Sequence, residues 1–286
     1  MSKRGWVLFL MMAIIWGIPY LLIRVAVRQL DPGVVVFLRT GPASLLLIPL
    51  VTMRRQWSAV VHHFGWIVVF GVVEFGVPWF LMSTAEEHIT SSLTSLLICG
   101  VPLLSVVVQR LRRGEHVETR RYLGLAIGAC GVAFLVGLDL SGGTFTWIAM
   151  MALVCVGYTF GPMILASKLA DVPGAAVTCG ATGVVALAWA PWALTHWPSH
   201  VSGETWSSIA TLSVVCTAGA FIVFSALVKE VGSTRAVVVT YVNTAVAVVL
   251  GIVGLHEALT AGIMVGFPLV IVGCVIATSR PRPALA

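Results

Sequence analysis

The sequence predicts an all-α membrane protein: ten transmembrane helices arranged as two inverted five-helix repeats, with the N- and C-termini both cytoplasmic. Three observations carry this prediction. The composition is too apolar for a soluble domain, the apolar residues fall into ten runs of membrane-spanning length, and basic residues alternate between successive loops. Of 286 residues, 59% are hydrophobic and only 10% charged, and the mean hydropathy is +1.02; a soluble domain carries about a quarter charged residues. The runs are continuous rather than alternating, which argues against a transmembrane barrel.

Each run supplies the ~20 apolar residues that a helix needs to cross ~30 Å of hydrocarbon. Span one, 6–27, follows Lys3 and Arg4. It begins like a signal peptide, but it lacks a small-residue cleavage site and continues past Pro19, so it is expected to be a retained span. Span two, 33–52, starts behind Asp31-Pro32 and stops before Arg54-Arg55. Span three, 66–85, contains "VVFGVVEFGVPWFLM", apolar except for Glu74. Span four, 89–109, follows the tight connection "AEEHITSS", and span five, 121–138, follows an arginine-rich loop. Spans six to ten are expected at 144–166, 174–194, 206–227, 234–254 and 260–279.

With the N-terminus inside, the cytoplasmic segments hold 14 of the 17 Lys and Arg residues, whereas the outer loops hold Arg28 against Asp31, Glu86, Glu87, Asp139, Glu204 and Glu257. This is the positive-inside pattern. The net charge of +6 therefore reports topology, and no nucleic-acid partner is implied. Trp6, Trp57, Trp66, Trp147, Trp197 and Trp206 sit at span ends, as interfacial belt residues do. The six cysteines all lie in apolar runs without a CxxC pair, so they read as small buried residues and not as a metal site or disulfide framework.

An offset of 142 residues brings Gly41 onto Gly183, Pro49 onto Pro191, Glu115 onto Glu257, Gly124 onto Gly266 and Gly131 onto Gly273. It divides the chain into residues 1–140 and 141–286, five spans each. Because five is odd, the second copy crosses the membrane in the opposite sense. Inverted repeats are the plan of many secondary transporters, with a site near midplane where the halves meet. A single copy suffices for this plan, and the oligomeric state is left open.

The stretch "STAEEHITSSLTSLLICGVPLLSVVVQRLRRGEHVETRRYLGLAIGACGVAFLVG" resembles the fourth and fifth spans of the EamA family, in the drug/metabolite transporter superfamily. Ser91 and Ser92, Pro102, Gly114 with Glu115, and Gly124, Gly128 and Gly131 carry that likeness. "TYVNTAVAVVLGIVGLHEALTAGIMVGFPLVIVGCVIA" repeats it with Glu257, Gly266 and Gly273, while Arg39 in span two and Trp16-Gly17 in span one also fit. Two positions depart from the pattern: Thr244 stands where span nine usually has proline, and His256 where a glycine usually precedes the glutamate. Glu74 matches no family motif. The resemblance implies a ten-helix exporter in the plasma membrane, the inner membrane of a bacterium. Its cavity would lie between spans one, three, four, six, eight and nine, and its cargo would be amino acids, their analogues or other small amphipathic metabolites and drugs.

Charged residues inside spans are the first site candidates, since each costs ~3 kcal/mol or more at the helix centre unless paired or hydrated. Glu74, ~12 Å from the inner face, is expected to bind a substrate ammonium or carry a coupling proton, with Arg39, ~9 Å below the outer face, as its nearest candidate partner. Arg39 serves either as a structural link or as a clamp for a substrate carboxylate, and Arg24 is expected to snorkel. Trp16 and Tyr20 share a face of span one, Trp79 lies beyond Glu74, Tyr158 is in span six, and Tyr241 and Asn243 are mid-span nine. Together these eight residues form the expected cavity set, each of them also open to a plain packing role. Gly17, Pro19 and Pro102 are expected to break helices and serve gating. Glu115 and Glu257 are expected to cap the helix that follows each of them, and the GxxxG pairs Gly124/Gly128 and Gly262/Gly266 to bring spans five and ten together.

The leading functional class is a secondary active exporter of small amphipathic metabolites such as amino acids, embedded in a lipid bilayer. Efflux of cationic drugs by proton exchange at Glu74 is the alternative, and a channel or non-transporting scaffold is the reading from a different class. The sequence has no HExxH, no GxSxG and no aspartate pair, so an enzyme is not expected. It has no GxxxxGK[ST] loop either, so the expected energy source is a gradient. Neither a cofactor nor a metal is expected.

Overall fold

In hydrocarbon a backbone without water must close its hydrogen bonds within the chain, and these apolar runs do so as helices. The computed structural model describes residues 2–113, 119–136, 142–231 and 239–278, and among them no strand occurs. The chain begins with α1 (Lys3–Ala26) and α2 (Pro32–Met53). A short α3 (Trp57–His62) precedes a composite helix made of α4 (Phe64–Phe70), a π-helical turn (Gly71–Gly76) and α5 (Val77–Glu86). α6 (Ser91–Ile98) and α7 (Val101–Arg113) follow, then α8 (Thr119–Val136), α9 (Gly142–Lys168) and α10 (Gly174–Thr195). A second composite helix joins α11 (Gly203–Ser213), a π-helical turn (Val214–Gly219) and α12 (Ala220–Val231). α13 (Val239–Leu255) and α14 (Ala261–Thr278) complete the described chain.

Among the described residues six helices are long and apolar enough to cross a membrane: Lys3–Ala26, Pro32–Met53, Phe64–Glu86, Phe145–Lys168, Gly174–Thr195 and Gly203–Phe224. Four shorter apolar helices, Ser91–Ser105, Tyr122–Phe134, Val242–Leu255 and Ala261–Ile276, occupy the positions of the remaining expected runs. Caps mark several helix starts. Asp31 accepts from the Gly33 amide at 2.8 Å ahead of Pro32, and Thr90 accepts from the Leu93 amide at 3.2 Å. Each side chain satisfies one amide that the first turn leaves free.

The helices pack in pairs: α2 with α10, α8 with α14, α1 with α13, α5 with α9, α6 with α13, and α11 and α12 with α1. Small residues set the closest approaches. A Cβ on Gly131 would stand 2.6 Å from the Val270 amide, and one on Gly273 2.6 Å from the Gly128 Cα. The expected contact of spans five and ten is thus made backbone to backbone.

The breaks expected at Gly17 and Pro19 are not formed, because α1 runs uninterrupted through both. Gly17 serves close packing instead: a Cβ there would lie 2.6 Å from Val246 and 2.9 Å from the Asn243 carbonyl. Pro102 does stand at a break, in the first turn of α7 behind the turn at Cys99-Gly100.

Candidate substrate site

α2 buries its one charged residue, Arg39, at 5% exposure. The guanidinium lies over the Trp79 ring, 3.6 Å from its centroid, and Nε donates to Thr217 Oγ1 at 3.2 Å. Nη1 is buried without a hydrogen-bond partner. Trp79 in turn donates its indole N–H to the Tyr158 hydroxyl at 3.1 Å and packs against Phe75 at 4.7 Å. Tyr20 on α1 is buried within electrostatic reach of Arg39 and Tyr158. The result is a cationic centre supplied by α2, with aromatic side chains from α1, α5 and α9 around it. A flat guanidinium stacked on an aromatic face keeps its edge available for a planar anion.

Both π-helical turns serve this region. Thr217 reaches Arg39 from the second turn, where its hydroxyl also donates to the Leu212 carbonyl five residues back at 2.9 Å. The extra residue in a π turn re-aims side chains, and such turns are frequent at functional sites. The turns begin at Gly71 and Val214 and end at Gly76 and Gly219. Glu74 and Thr217 are each the fourth residue of their turn.

Glu74 does not pair with Arg39, contrary to the partnership expected from the sequence. Arg39 is held by Trp79 and Thr217, while the Glu74 side chain lies against α9, where any Cβ on Gly161 would collide with its carboxylate. Glu74 Oε2 is buried without a hydrogen-bond partner. The cause is directional, since the π turn points Glu74 at the glycine surface of α9 and away from α2.

The expected cavity set therefore divides. Arg39, Trp79, Tyr158 and Tyr20 come together. Trp16 packs at a tilt against Phe224, ring centroids 4.9 Å apart, and Asn243 accepts from Thr244 Oγ1 at 3.3 Å within the α1–α13 contact. Tyr241 lies on α13, with its side chain outside the described residues, as is Glu115.

Three features were not anticipated. Glu86, expected in an outer loop, ends α5 at 0% exposure, and neither carboxylate oxygen has a hydrogen-bond partner. Arg24 does not simply snorkel, because its Nη1 donates to the Glu86 backbone carbonyl. Glu257 caps a different helix from the one expected: it accepts from the amides of Ser91 and Ser92 at 2.7 and 3.0 Å and from their hydroxyls at 2.9 and 2.5 Å. These bonds close the N-terminus of α6, 165 residues earlier in the chain.

A cavity of about 720 Å³ opens at the end of the bundle that holds the N-terminus, lined by Arg4, Arg54, Glu230, Phe221, Ile222 and Ala226 among others. Phe221, at its wall, makes an edge contact with Phe75 at 6.3 Å, so two rings separate this cavity from the Trp79–Arg39 pair. Among the described residues no cluster of His, Cys, Asp and Glu suits a metal ion.

The fold has relatives among known proteins. The uncharacterised inner membrane transporter YedA of Escherichia coli K12 is 26% identical over 255 residues, which cover 83% of this chain and 78% of YedA. The uncharacterised transporter YvbV of Bacillus subtilis is 21% identical over 285 residues, covering 98% and 93% of the two chains. A solved crystal structure superposes with a TM-score of 0.65 at 18% identity, covering 97% of this chain and 98% of its own, which shows a shared fold. The EamA-like transporter family matches residues 3–137 and again 145–279. The chain is a multi-pass membrane protein and belongs to the EamA-like transporter family.

Proposed function

We propose that this protein is a secondary active exporter of small amphipathic metabolites bearing a carboxylate, amino acids first among them, in the bacterial inner membrane. It works by alternating access of two inverted five-helix bundles, residues 1–140 and 141–286, with ten spans and both termini cytoplasmic. The packing supports this plan. α2 with α10, α8 with α14, and α6 with α13 each join a span to its repeat partner, and α1 against α11 is answered by α9 against α5. The two π turns stand at matching places in spans three and eight. Two bundles related in this way can exchange conformations at similar energy.

The observation that carries the substrate reading is Arg39: a buried guanidinium, stacked on Trp79, with Nη1 left without a partner. A carboxylate placed there satisfies the orphaned donor, and the rings of Trp79, Tyr158 and Tyr20 accommodate an apolar group. A charge-assisted hydrogen bond is worth about 1.5–3 kcal/mol. The cavity between Arg4, Arg54 and Phe221 is the cytoplasmic approach to this centre.

Efflux of cations by proton exchange is the second reading, favoured by the unpartnered Glu74 Oε2. The cationic centre at Arg39 works against it. Uptake into reconstituted vesicles, offered labelled amino acids or labelled organic cations with and without a pH gradient, separates the two. Saturable uptake of amino acids that is lost in Arg39→Gln supports the first reading. Cation uptake that follows the pH gradient and is lost in Glu74→Gln replaces it with the second.

A further inference from the structure

Glu86 is the most deeply buried acid among the described residues, and it sits beside the candidate site without a task. It is fully shielded from solvent, and both of its carboxylate oxygens lack hydrogen-bond partners. Its neighbour Glu87 is exposed, so burial of the pair is selective. Arg24 binds the Glu86 backbone carbonyl and leaves the carboxylate free. Glu86 stands seven residues beyond Trp79 on α5, two helical turns and about 10 Å along the axis, so the two share a face, and the charges that act on it are those of Arg24, Glu257 and Arg39. This face of α5 therefore carries, about two helical turns apart, an orphaned cationic donor, Arg39 Nη1 over Trp79, and two orphaned anionic acceptors, Glu86 Oε1 and Oε2. In a low-dielectric interior such groups persist only where something satisfies them.

We propose that Glu86 binds the ammonium group of a zwitterionic substrate whose carboxylate is held by Arg39. An ammonium brings three donors and no acceptor, which suits a carboxylate with two empty oxygens, and the substrate carboxylate supplies the acceptor that Arg39 Nη1 lacks. Bound together, the substrate's two charges neutralise both site charges, so the loaded cluster carries no added net charge as the bundles move. Glu86 is closed over in this conformation, and access to it comes with parting of the bundles. The proposal rests on the carboxylate reading at Arg39 and adds Glu86 as the residue that selects for a free amine.

The test uses the full-length protein in vesicles, offered either a labelled amino-acid mixture or the same mixture N-acetylated, which keeps the carboxylate and removes the ammonium. The wild type is expected to take up the free mixture at least tenfold faster. Glu86→Gln is expected to lower free-mixture uptake tenfold or more while leaving N-acetyl uptake unchanged or raised, so that discrimination collapses. Equal uptake of both mixtures by the wild type, abolished in Arg39→Gln, would overturn the role of Glu86 and leave the carboxylate reading standing. Uptake of neither mixture would sink both. If Glu86→Gln fails to fold, Glu86→Met, which fills the same buried space without a charge, decides: lost preference for the free amine supports the assignment, and retained preference in a folded protein overturns it. A Glu86→Gln protein that keeps the preference but no longer responds to a pH gradient would make Glu86 a proton carrier and refute ammonium binding.

Discussion

Removing the Glu257 carboxylate should unfasten α6 from the opposite half of the molecule. The side chain accepts four hydrogen bonds from Ser91 and Ser92, two from backbone amides and two from hydroxyls, at 2.5–3.0 Å. The amides are two of those that a first helical turn leaves without partners, and the negative charge also meets the positive end of the helix dipole. Hydrogen bonds to a charged group contribute about 1.5–3 kcal/mol each when buried. This cap is only partly buried, so water replaces some of what is lost, and roughly 2–4 kcal/mol in total is expected for Glu257→Ala. At roughly 2–4 °C per kcal/mol for a chain of this size, Tm should fall by about 4–16 °C. Glu257→Gln keeps one acceptor and turns an amide donor toward the other pair, so its loss should be about half as large. Thermal unfolding in detergent, followed by tryptophan fluorescence, measures both. In a double-mutant cycle, Ser91→Ala/Ser92→Ala should cost little once Glu257 is gone, with a coupling of about 1–2 kcal/mol. A Glu257→Ala protein within 1 °C of the wild type, or fully additive losses, would show that the cap does not hold the halves together.

Three further outcomes follow from the same coordinates. Gly251→Ala would place a methyl 2.5 Å from both Glu257 Oε2 and Ser92 Oγ, so its melting curve should resemble that of Glu257→Ala; a wild-type curve would mean that the cap shifts without loss. His256 has φ of 55°, a left-handed conformation that costs a side-chain-bearing residue about 1–2 kcal/mol. His256→Gly should therefore raise Tm by about 1–2 °C after the entropy cost of glycine, and a lower Tm would assign the imidazole a holding role. Gly273→Ala puts a methyl 2.6 Å from the Gly128 Cα, an overpacking expected to cost roughly 1–3 kcal/mol; unchanged stability would contradict the glycine-on-glycine contact of α8 and α14.

The apolar runs were legible because hydrocarbon imposes one requirement, a continuous self-bonded helix, on every segment alike. Residue pairings were less legible, for reasons visible at particular positions. The π turns at Gly71–Gly76 and Val214–Gly219 leave no period in the sequence, so the 100° step of an α-helix misplaces Glu74 and cannot reveal Thr217 as the Arg39 partner. Glu86 reads as a loop residue because Glu87 follows it; only packing separates a buried acid from an exposed one. The acidic residue before span ten announces a cap, but its partner lies 165 residues away, and no local pattern names it. Arg39, Trp79, Tyr158 and Tyr20 were found because polar and aromatic groups inside apolar runs are few. His256 shows the converse: its positive φ accounts for the family's glycine at that position, and nothing in the structure explains the histidine that stands there.

The central claim is that Arg39 holds the substrate carboxylate, and the KM for amino-acid uptake into vesicles tests it most directly. Arg39→Lys keeps the charge but loses the planar fork and its stacking on Trp79. Losing a charge-assisted bond of about 1.5–3 kcal/mol corresponds to a rise in KM of roughly 10- to 150-fold. The account predicts such a rise for Arg39→Lys and no measurable uptake for Arg39→Gln, with both proteins folded by thermal unfolding. A wild-type KM in folded Arg39→Gln would contradict it.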